Sequence, residues 1–170
     1  MKAMKKILAL ALAGVMALAL LTGCGTGGSA SHKSIAKAMA DHDNGLGNNM
    51  TSITYTSSPE LDAKLQQLAA DTRFETVVKA VYNGQSPTIP AGVLPTNKVV
   101  YLYCGKYDKD AGKQAINLNA WGHYTHIGSN STLADERQIG LITTSFTDTN
   151  GEKVKVRFAV VVSDIPAATP

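Results

Sequence analysis

The chain holds two cysteines, one tryptophan and three phenylalanines in 170 residues, and aromatics make up 6% of it. Two thiols close at most one bridge, so a disulfide-stapled scaffold is excluded. No run of lysine or arginine occurs after Lys6. A nucleic-acid binder needs clustered cations to displace counterions from phosphates, and the nearest substitute, Lys153, Lys155 and Arg157, alternates along a predicted strand as its solvated face. The apolar run at 7–21 is shorter than the roughly 20 residues that cross a bilayer core, which argues against a permanent span. Enzyme signatures are also missing: no G-x-S-x-G elbow, Walker loop, H-E-x-x-H or C-x-x-C. The carboxylate pairs Asp108/Asp110 and Asp135/Glu136 sit in polar contexts that read as solvated turns rather than acid–base machinery.

At the N-terminus Lys2, Lys5 and Lys6 precede the apolar body at 7–21, the layout of a secretory signal peptide. Directly after it, Leu21-Thr22-Gly23-Cys24 resembles the lipobox of bacterial lipoproteins. The resemblance implies that the Cys24 sulfur receives a diacylglyceryl group and that the signal at 1–23 is removed. Cys24 would then become the first residue of a protein held at the outer face of the bacterial cell membrane. Acyl burial contributes about 0.8 kcal/mol per methylene, so two chains anchor where one binds only marginally. Processing also changes the charge. Of 16 basic residues three lie in the signal, leaving 16 − 3 = 13 against 13 acidic ones, a balanced mature chain.

Residues 24–170 number 170 − 23 = 147, enough for one domain with an ordinary hydrophobic core. The stretch at 24–31 reads as lipidated cysteine and flexible tether, with a single extracytoplasmic domain at 32–170. A short helix is predicted at 34–41, ending at the breaker-rich "HDNGLGNN". Ser57 with Glu60 forms a capping box, Pro59 fits the first turn, and Leu61, Leu65 and Leu68 recur at helical spacing. Phe74, Val77, Val78 and Val81 continue the stripe, with a restart at Asp71-Thr72. Three prolines make 86–97 a loop. Strands are predicted at 98–104, 139–147 and 153–163, the last two joined at Asn150-Gly151 by positive-φ residues, and a short helix at 131–137. Cys104, inside an apolar β-prone stretch, reads as a buried inert thiol. At 159–162 both faces of the last strand are apolar, which predicts cover on both sides. The expected class is α+β: N-terminal helices packed on a small antiparallel sheet that ends in a C-terminal hairpin.

The one local cluster that suggests chemistry is Trp121-Gly122-His123-Tyr124-Thr125-His126. Two imidazoles three apart meet on one side of a helical turn, where they could share zinc, with His42, Asp135 or Glu136 as further ligands; the bland alternative is a hydrogen-bonded pair beside a core tryptophan. Gly122-His123-Tyr124-Thr125 also resembles the G-H-Y-T-Q signature of the CAP superfamily, the cysteine-rich secretory and pathogenesis-related proteins. Ile139-Gly140-Leu141 and the hairpin ending at Ala159-Val160-Val161-Val162 are similar to that family's closing strands. The resemblance implies an α-β-α sandwich and carries over His123 alone as a pocket residue; His126 stands where the family has glutamine.

The sequence therefore points to a membrane-anchored extracytoplasmic lipoprotein, a non-catalytic module that binds an envelope protein or small ligand. The alternatives are a CAP-like domain with a ligand or metal pocket around His123, or a small surface hydrolase. No cofactor is expected beyond the lipid on Cys24.

Overall fold

The computed structural model describes residues 29–46, 52–120, 124–127 and 132–165. Among the described residues four helices and five strands follow one another as α1 (His32–Leu46), β1 (Thr54–Ser57), α2 (Pro59–Ala69), α3 (Phe74–Tyr82), β2 (Val99–Lys106), α4 (Ala111–Leu118), β3 (Tyr124–Ile127), β4 (Glu136–Thr147) and β5 (Lys153–Ser163). The strands form a single sheet in the order β1-β4-β5-β2-β3. The class is α+β, as expected, with one refinement. β1 runs parallel to β4 while the other three pairings are antiparallel, so the sheet is mixed.

Alternation along β5 and β2 builds two cores. Val156, Phe158, Val160 and Val162 join Val100, Leu102 and Cys104 beneath α2 and α3, whose Leu61, Leu65, Leu68, Val77, Val78 and Val81 complete the packing. Phe74 meets Phe158 edge-on, with ring centroids 5.6 Å apart. On the opposite face Ala159, Val161 and Tyr103 pack with Ile139 and Leu141 under Ile35, Ala36 and Met39 of α1 and Ala115 and Leu118 of α4. The sheet is thus a middle layer covered on both sides, as the apolar stretch at 159–162 predicted.

Two strand glycines let helices approach this closely. A Cβ on Gly140 would lie 2.5 Å from the Leu61 Cβ, and one on Gly105 would lie 2.4 Å from the Asn117 backbone. Beyond Ile139, β4 has no strand on its β1 side, and helix carboxylates satisfy its edge instead: Leu141 N–H donates to Asp62 Oδ1 at 2.8 Å and Thr147 N–H to Glu75 Oε1 at 2.8 Å. Buried or edge N–H groups need such acceptors.

Several local expectations change. The predicted helix at 131–137 is not formed: residues 132–135 are irregular and Glu136 opens β4, because strand pairing with β1 outweighs local helical preference. Ser58, not Ser57, caps α2, accepting from Leu61 N–H at 3.4 Å, since Ser57 belongs to β1. The split at Asp71 is observed, with Asp71 Oδ1 accepting from Arg73 N–H at 2.9 Å. The hairpin turns on Gly151 alone (φ +82°); Asn150 keeps a negative φ while Asp148 Oδ1 accepts from the N–H groups of Asn150 and Glu152. Arg157 belongs not to a solvated face but to the interior, 3% exposed. Finally, α1 continues through the breaker-rich residues to Leu46.

Candidate functional site

The continuation of α1 has a cause that also defines the main polar cluster of the molecule. Asp43 and Asn44 both bond outside their helix. Asn44 brackets the backbone of Ile53, accepting from its N–H at 2.8 Å and donating to its carbonyl at 2.9 Å. Asp43 Oδ2 accepts from the Tyr55 hydroxyl at 2.7 Å and from Arg137 Nη1 at 2.6 Å. Arg137 Nη1 also lies 2.8 Å from the Tyr55 hydroxyl, and its Nε donates to the Ala134 carbonyl at 2.9 Å. His42 Nδ1 stands 3.4 Å from the other Asp43 oxygen.

This cluster ties the end of α1 to β1 and β4. Asp43 and Arg137 retain 16% and 12% side-chain exposure, enough burial for their charges to need each other. Burial pushes the Tyr55 hydroxyl well above its ordinary range, followed by the neighbouring Tyr103 and the Asp43 carboxylate, so it stays protonated. It donates to Asp43 and accepts from Arg137. With both roles occupied, the hydroxyl is a strut and neither a base nor a nucleophile. Sequence inspection misses this cluster, because Asp43 and Arg137 are 94 residues apart and no local pattern joins them.

A second polar constellation lies where the chain enters the domain. Ser29 Oγ is 2.9 Å from the Tyr107 hydroxyl and accepts from Arg157 Nη2 at 3.0 Å. Arg157 Nη2 also reaches the Ala30 carbonyl at 3.2 Å, and Ala30 N–H donates to the Lys109 carbonyl at 2.8 Å. Lys155 Nζ stands 3.9 Å above the Tyr107 ring. The hydrogen bond from Ser29, with the two cations, holds the Tyr107 hydroxyl below its ordinary range. Residues 29–31, predicted to be tether, are therefore part of the fold, and Ser31 opens α1 by accepting from Ser34 N–H at 3.1 Å.

A polar cleft of about 270 Å³ lies at the other end of the sheet, between the Thr54 and Thr56 side of β1, Gln138 of β4 and the Lys98–Asp164 ion pair. Its Ser163 hydroxyl already bonds Ala134 N–H and the Asp164 carbonyl.

Of the predicted site residues, Cys24, Trp121 and His123 lie outside the described residues. Tyr124 and His126 fall on strand β3, in register with Tyr103 and Tyr101, so His126 is not on the helical turn that the proposed imidazole pair required. β3 also forms the sheet edge opposite β1. Two strands separate it from β4, so at about 4.8 Å per strand His126 and Glu136 are on the order of 14 Å apart. His42 is engaged near the far edge as well. Among the described residues no group of three or more His, Cys, Asp or Glu side chains is arranged to hold a metal. Cys104 is buried and free, and burial pushes its thiol up to about 12.

Comparison with known proteins places the chain in no family: no family model, no curated protein and no solved structure matches it.

Proposed function

We propose that this protein is a lipid-anchored extracytoplasmic module of a bacterial cell membrane, acylated at Cys24, whose domain binds an envelope component and carries out no covalent chemistry of its own. The observation that carries the reading is the order Leu21-Thr22-Gly23-Cys24 behind a charged head and an apolar body. The domain geometry supports it in two ways. Its main polar cluster is internally satisfied, with Tyr55, Asp43 and Arg137 bonding one another, and Cys104 is buried beneath α2 and α3. Moreover, the chain docks at Ser29, five residues after Cys24, so the anchor and the domain are joined by a short connection. No helix among the described residues is long and apolar enough to cross a membrane, leaving the acyl chains to supply the affinity.

The test is expression in a bacterial host followed by fractionation. Wild-type chain sediments with membranes and partitions into detergent, whereas Cys24→Ser is released or retained only through an uncleaved signal. Equal behaviour of the two, with cleavage intact, would refute the anchor.

A further inference from the structure

Near the point where the chain enters the domain, no helix among the described residues covers one half of a sheet face. α1 and α4 cover Ile139, Leu141, Ala159 and Val161, but the same face of the β4–β5 hairpin continues outward through Thr143, Ser145 and Thr147, paired with Arg157, Lys155 and Lys153. Lys153 and Lys155 are exposed, as is Lys109, whose carbonyl holds Ala30. Arg157 lies beneath them and clamps Ser29. The acidic groups beside these lysines in the chain are Asp148 and Glu152 at the hairpin turn and Asp108 and Asp110; Asp148 uses its Oδ1 on the N–H groups of Asn150 and Glu152, and Asp108 and Asp110 use theirs on the N–H groups of Asp110 and Lys113.

Chain length links this face to the anchor. Five residue steps separate Cys24 from Ser29 and span at most about 18 Å when fully extended. An acylated Cys24 therefore holds the Ser29 docking point within that distance of the headgroups and keeps the lysines on the same side of the domain close to them. Residues 24–170 balance their charges at 13 basic against 13 acidic, so three lysines gathered here leave the remainder net acidic and give the domain a preferred side. We propose that Lys109, Lys153 and Lys155 rest on anionic phospholipid headgroups, orienting the domain on the membrane. The opposite polar cleft beside Lys98 and Asp164 then faces away from the lipid. This inference rests on the lipid-anchor reading for its geometry, but the surface interaction is measurable without the lipid.

The experiment uses the chain from residue 25 onward, which keeps every described contact because the whole core lies between residues 30 and 165. Co-sedimentation with vesicles of phosphatidylglycerol and phosphatidylcholine is compared with phosphatidylcholine alone at low ionic strength. Binding is expected only to the anionic vesicles and should fall with added salt. Lys153→Gln with Lys155→Gln should weaken it about 25-fold, at roughly five-fold per lysine near such a surface. Lys64→Gln with Lys79→Gln, on the helices of the opposite face, should leave it unchanged. Absent binding, equal binding to neutral vesicles, or equal loss in both double variants would overturn the proposal. Each of these results is independent of whether Cys24 is acylated.

Discussion

Asp43, Tyr55 and Arg137 illustrate how a buried charge pair constrains what can be removed. Deleting one partner leaves the other charge partly desolvated, so Arg137→Ala should lower unfolding free energy by about 3 kcal/mol in urea titration. Tyr55→Phe removes only a hydroxyl and should cost about 1–2 kcal/mol, with the Asp43–Arg137 contact retained. Were these residues a working site, stability would be nearly indifferent to them. Cys104 makes a complementary prediction. Because burial raises its thiol to about 12, the reactive thiolate is scarce at any pH below that. In chain lacking residues 1–24 it should resist a thiol reagent at pH 8 in the native state and react fully in denaturant; rapid native labelling would contradict its packing. Its inert character was legible from the apolar β-prone residues around it. The Asp43 cluster was not, since three residues distant in the chain carry no shared pattern.

Among the elements, what the sequence revealed and what it concealed follow from locality. The helices at Pro59–Ala69 and Phe74–Tyr82 and the strand Lys153–Ser163 were readable because leucine and valine recur at the period of their own element. β1, β3 and the parallel pairing were not. Thr54–Ser57 has four residues and holds its place through Glu136–Ile139, a partner supplied 82 residues later. The same long-range pairing overrides the helical bias at 131–137, and tertiary bonds from Asp43 and Asn44 carry α1 past residues that locally disfavour it. Gly140 tests how tightly helix and sheet are matched. A Cβ there meets backbone as well as side chain of α2, so Gly140→Ala should destabilise the domain by about 1–3 kcal/mol, measured by thermal or urea unfolding. Gly151→Ala, where the neighbourhood is open but φ is +82°, should cost about 1–2 kcal/mol through backbone strain alone.

At the scale of the molecule, the two-sided core holds the domain together without a disulfide among the described residues: the sheet buries side chains on both faces. The same layering separates an end where the chain enters, rich in exposed lysine, from an end with the open polar cleft. The proposed function rests on the N-terminus, where processing chemistry reads short contiguous residues. The polar cleft assembled from β1, β4 and the residues around Lys98 has no such linear code. The cluster at 121–126 suggested metal chemistry on a helical premise, and the strand at Tyr124–Ile127 removes that premise for His126. The account's central claim concerns one sulfur atom, and mass spectrometry of the intact chain recovered from bacterial membranes tests it most directly. The account predicts a polypeptide beginning at Cys24 and heavier than its sequence by a diacylglyceryl group. A mature chain beginning elsewhere, or one carrying Cys24 as a free thiol, would contradict it.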